Sequence, residues 1–134
     1  MRLLFFKRLD DLLRLVNYTA IMCDLRNPDT LEAYRGALAQ LFRELRPKIF
    51  PKKRREIEKL LKASEISIYK WQDYVKKKFK YERVEVREYP LDVKNELHRI
   101  QDELQAIIDA LNLRFPVVRK FDETRAIKEG VGKS

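Results

Sequence analysis

Apolar residues recur along this chain at helical spacing, in segments of helix length separated by prolines. Only three glycines occur, at 36, 130 and 132, so prolines 28, 47, 51, 90 and 116 do most of the punctuating. The first segment covers residues 2–25. Phe5, Leu9, Leu12, Val16 and Cys23 lie along one stripe, and Leu4, Leu13, Leu15 and Ile21 widen it past a single face. A helix apolar on most sides belongs in the centre of a bundle or at a subunit interface. The second segment has a well-marked start: Asn27 can cap, Pro28 suits the first helical position and Asp29 complements the helix dipole. Leu31, Tyr34, Leu38, Leu41, Phe42 and Leu45 form its inner face, and it must stop before Pro47.

The last long segment opens at Pro90 and extends to about residue 113. Val93, Leu97, Ile100, Leu104, Ile107 and Leu111 step by four, three, four, three and four, a heptad seam. Such a seam suits a coiled coil between chains and the inner stripe of a bundle helix equally well. Upstream, "YERVEVREYP" reads as a linker, because a lone strand has nothing to pair with. Residues 116–134 read as a largely flexible tail with one helical turn around 123–128. The fold expected is all-α: a bundle of four to five helices in one domain, 1–115.

A chain of 134 residues with 45% hydrophobic residues can close a core without disulfides or metals. Its 38% charged content, with few Asn, Gln, Cys and Met, leans towards a heat-adapted source. One cysteine excludes a disulfide within the chain and fits a reducing compartment. The opening "MRLLFFKRLDDLLRLV" starts like a signal peptide, but Lys7, Arg8, Asp10 and Asp11 interrupt it. No apolar run approaches the roughly 20 residues that span a bilayer, so the expectation is a cytoplasmic protein.

Charge placement narrows the functional classes. The formal net charge is +9, and residues 47–87 hold 14 basic and 6 acidic side chains, nearly the whole excess. A concentrated basic segment is the electrostatic footprint of a polyanion-binding surface. Chemistry-bearing motifs are sparse by comparison. The terminal "GVGKS" resembles the end of a phosphate loop, but Ile127 stands where its first glycine belongs and no helix follows. His98, the only histidine, and Asp102 are too few to hold a metal. Cys23 sits in an apolar run and reads as an inert buried thiol. No pair of carboxylates stands out as acid and base. Neither a cofactor nor enzyme activity is expected.

The third segment, residues 51–80, admits two structures. In "EIEKLLKASEISIYKW", Ile57, Leu61, Ala63, Ile68 and Trp71 fall at apolar positions, Ser64 can cap a second helix, and Tyr69 and Lys70 follow it. These residues resemble the helix-turn-helix of DNA-binding regulators and recombinases. Glu58 and Lys62 stand where that pattern carries a small residue and a turn glycine. The resemblance implies a turn at "KASE" and a second helix entering the major groove. Against it, Ile57, Leu61, Ser64, Ile68, Trp71, Val75 and Phe79 also keep the rhythm of one continuous helix, although "SEISI" is a poor helix centre.

The helix-turn-helix alternative implies a non-enzymatic, sequence-reading binder of duplex DNA, with a three-helix core over 29–80. Lys52, Lys53, Arg54, Arg55, Lys76, Lys77 and Lys80 would hold phosphates. Ser64, Ile66, Tyr69 and Lys70 would face the groove, and helix 91–113 or 2–25 would form a homodimer. The continuous-helix alternative implies a four-helix bundle that binds protein partners or serves as a structural subunit without specific DNA binding. A third option, membrane-surface attachment through the first segment, is opposed by its acidic pair.

Overall fold

The computed structural model describes residues 2–78 and 91–113, with side chains described over 8–77 and 91–113. Four helices follow one another: α1 (Arg2–Met22), α2 (Pro28–Leu45), α3 (Pro51–Lys78) and α4 (Leu91–Ala110), with a single 3-10 turn, Arg46–Lys48, between α2 and α3. No strand occurs among the described residues, and the fold is an all-α bundle. "YERVEVREYP", Lys80 and the 116–134 tail lie outside them. None of the helices described is long and apolar enough to cross a membrane.

The α1–α2 corner is built by short polar side chains. Asn27 caps α2 by accepting from the Asp29 N–H at 3.2 Å, with Pro28 in the first turn. The Thr30 hydroxyl accepts from the Asp24 N–H at 2.8 Å and donates to the Asn27 carbonyl at 2.7 Å. These bonds satisfy backbone groups that a helix end leaves open. The corner is then tied to α3, because Trp71 Nε1–H donates to the Leu25 carbonyl at 3.0 Å. The first helix is therefore shorter than the 2–25 segment.

Packing runs mainly in chain order, α1 on α2, α2 on α3 and α3 on α4, with a smaller contact between α2 and α4. One core serves all four helices, centred on Tyr34, Leu38 and Leu41 of α2, Ile57 and Ile68 of α3, and Leu97, Ile100 and Leu104 of α4. The α1 helix lies at the flank rather than the centre. Val16 and Ala20 enter the core, while Leu15, Tyr18, Ile21 and Met22 are exposed.

The turn expected at "KASE" is not formed: α3 runs unbroken for 28 residues. The reason lies on its inner face. Ile57, Leu61, Ser64, Ile68 and Trp71 are all buried, and only a straight helix holds all five on one stripe against α2 and α4. No glycine or proline interrupts it after Pro51. The expected three-helix core over 29–80 is corrected accordingly, since α3 packs its length against α4. The polar residue on the stripe is satisfied locally: the Ser64 hydroxyl donates to the Leu61 carbonyl at 3.0 Å.

The heptad seam of α4 lies within the chain. Val93, Leu97, Ile100, Leu104 and Ile107 are buried and Leu111 is half-buried. A homodimer built on these six residues would have to open the core. Two residues past the end of the helix at Ala110, Asn112 takes φ 57, while the Leu113 N–H reaches back to the Ile108 carbonyl at 3.0 Å. Asparagine tolerates this left-handed stop better than most residues.

Candidate interaction face

The outward face of α3 is the best-defined functional feature. Lys52, Arg55, Lys59, Lys62, Ile66, Tyr69, Lys70 and Lys77 are exposed on the side opposite the buried stripe. Steps of three or four residues from Lys52 to Tyr69, with Lys70 four residues after Ile66 and Lys77 two turns further on, place them in a row along the helix axis. Ile66 and Tyr69 stand 49% and 68% exposed near the middle, an apolar pair between cations.

The acids of α3 mostly lie off this row. Glu58 pairs with Arg46 of the 3-10 turn at 3.1 Å, and Glu65 pairs with Arg35 of α2 at 3.6 Å. Arg35 also donates a hydrogen bond to Glu32, the main cause that raises its guanidinium pKa. Asp73 lies on the row but is paired with Lys77 at 3.0 Å. Lys52, Arg55, Lys59, Lys62 and Lys70 form no ion pair among the described residues. Glu56 is exposed at the row's edge between Lys52 and Lys59, Glu58 and Glu65 stand at the other edge and Asp73 beside Lys77, so the stretch from Lys59 to Lys70 keeps one sign of charge.

The expected DNA-contacting residues divide unevenly over this geometry. Lys52, Arg55, Ile66, Tyr69, Lys70 and Lys77 lie on the row, Lys76 is exposed beside it, and Lys53 is exposed four residues before Ile57, in line with the inner stripe. Arg54 is half-buried, and its Nε is buried without a hydrogen-bond partner among the described residues. Ser64 is corrected outright: it is fully buried against the core and cannot face a groove while α3 is straight. Lys80 lies outside the described residues. Sequence reasoning passed over Lys59 and Lys62, which continue the row from Arg55. Their three-and-four spacing from Arg55 to Ile66 was the available signal.

Elsewhere the described residues offer little for catalysis. No group of three or more His, Cys, Asp or Glu side chains stands together to hold a metal. Cys23, the single cysteine, is a buried thiol. Tyr34 is fully buried, and burial pushes its hydroxyl pKa well above the usual tyrosine value, so it stays protonated. The chain matches no protein-family profile, no curated protein and no solved structure.

Proposed function

We propose that this chain is a non-enzymatic interaction module, a four-helix bundle that serves as a protein-binding or structural subunit and meets its partner with the outer face of α3. One observation carries this reading. The α3 helix is continuous, so its inner stripe is committed to the core while its outer row faces solvent, with Lys52, Arg55, Lys59, Lys62 and Lys70 forming no ion pair among the described residues. Recognition by a helix-turn-helix requires a second helix set at an angle to the first, so that one lies in the groove and the other crosses the backbone. A straight α3 lacks that division of labour.

A second reading is favoured by the same charge: contact with duplex DNA through phosphates alone, without reading bases. It predicts a steep salt dependence. With four to six phosphate contacts, log affinity falls against log salt with a slope of about −4 to −5.

Binding measured against duplexes of unrelated sequence tests the reading. The module should bind all of them equally or none of them. A preference of about a thousandfold or more for a duplex recovered by selection, the lower end of the range of specific binders, would restore the sequence-reading regulator and overturn the proposal.

A further inference from the structure

We infer that the partner presents an acidic amphipathic helix, laid along α3 so that its carboxylates meet the cation row and an apolar side chain seats between Ile66 and Tyr69. This rests on the interaction-module reading and names the partner's chemistry.

Three observations carry it. The first is sign. Lys52, Arg55, Lys59, Lys62 and Lys70 have no ion-pair partner among the described residues, so the complementary surface is acidic. The second is repeat. Outer positions of α3 recur once per turn, about every 5.4 Å along the axis, and carboxylates at i, i+3 and i+4 of a partner helix recur at the same pitch. Over the roughly 37 Å from Lys52 to Lys77, given a rise of 1.5 Å per residue, two near-parallel helices stay in step. A duplex turns its backbone through a full circle in about 34–36 Å, so a straight row of that length meets only the near arc of a strand. The third is the apolar centre. Ile66 is 49% exposed and Tyr69 68% exposed with cations on either side. An aromatic anchor within a charged rim is the anatomy of a protein interface, and the isoleucine gains nothing from a phosphate.

Fluorescence anisotropy on the full chain tests the inference with three labelled probes. One is an acidic helical peptide of about 26 residues, long enough to span the row, with glutamates at i, i+3 and i+4 and a central leucine pair. The second is the same peptide scrambled. The third is a mixed-sequence duplex of about 20 base pairs, carrying phosphates alone. The helical peptide should bind at least about tenfold tighter than its scramble, and Ile66→Ala with Tyr69→Ala should remove about tenfold of that affinity. The same double variant should leave duplex binding unchanged. Lys59→Glu with Lys62→Glu should weaken both interactions, and circular dichroism must show the fold retained. Equal binding of peptide and scramble, or indifference to the double alanine variant, overturns the inference. Duplex binding without peptide binding removes the acidic-helix partner and leaves the phosphate reading. Binding of neither probe at low salt removes α3 as a contact face, and the interaction-module reading falls with it.

Discussion

Helices α3 and α4 share an inward pattern and differ in what they turn outward. Each sets buried apolar residues at three- and four-residue steps, and the two stripes close on one another. Yet α3 carries ten lysines and arginines against four acids, while α4 carries two against five. On α4, charged and polar groups meet partners nearby: Glu96 with Arg99 at 3.6 Å, and Gln105 with Asp109 at 2.8 Å. On α3, Glu58 and Glu65 reach across to Arg46 and Arg35, leaving the middle of the cation row unneutralised. Core formation fixes inner positions tightly and outer positions hardly at all. A one-signed outer row is therefore the better place to look for a contact surface.

The sharpest way to break the comparison is Ile100→Lys. Ile100 is fully buried where α4 meets the core. A lysine there strands an unpaired charge, at a cost on the order of 5 kcal/mol, comparable to the whole stability of a small domain. Circular dichroism and sedimentation should show loss of cooperative unfolding or of helicity. A folded monomer with near-native stability would mean that the seam belongs to an interface between chains, and that the inner faces of α3 and α4 are not equivalent.

The opposite face of α3 supplies the next test, Lys62→Gly. Lys62 is exposed in the interior of an unbroken helix and forms no ion pair among the described residues. Glycine there should destabilise by about 1 kcal/mol through backbone entropy, read as a lower denaturation midpoint with an unchanged denaturant slope. A neutral or stabilising result would indicate the turn that the helix-turn-helix pattern places at this position.

Helix positions were legible because their signals are local. Asn27, Pro28 and Asp29 mark the start of α2, and Pro47 limits its end. What was not legible depends on partners distant in sequence. Ser64 reads as a natural cap when its neighbours are residues 62–67. Its role is decided by α2 and α4, which bury the stripe it shares with Ile57 and Trp71. The α4 seam could not reveal whether its partner was α3 or another chain, since both present the same heptad. Leu15 and Ile21 suggested an α1 either central in the bundle or at a subunit interface; α1 packs chiefly on α2 and leaves both exposed, which removes the central position. For the candidate face, net charge located the right segment. The spacing of Arg55, Lys59, Lys62 and Ile66 already marks a row; that Glu58 and Glu65 do not neutralise it was not legible, because their partners lie 12 and 30 residues away in sequence.

The smallest expected effect lies at the boundary between the two helices. Glu103 of α4 is half-buried against α3, and the Ser67 hydroxyl donates to its Oε1 at 2.8 Å. Burial raises the Glu103 pKa, opposed by the Ser67 hydrogen bond and by Arg99 and reinforced by Glu96. A carboxyl raised in the folded state binds its proton more tightly there than in the unfolded chain. Its contribution therefore favours folding most at acidic pH and declines as pH rises through the ordinary glutamate value to the raised folded one, after which it is flat. Glu103→Gln removes the titration while its amide oxygen can still accept from Ser67. The variant should gain stability relative to the parent across that window and be equal to it or more stable at neutral pH. Denaturation of both proteins at several pH values isolates the difference from the other carboxylates. If the parent instead gains on the variant as pH rises, the Ser67 bond outweighs burial, and this acid of α4 is held by α3 rather than merely crowded by it.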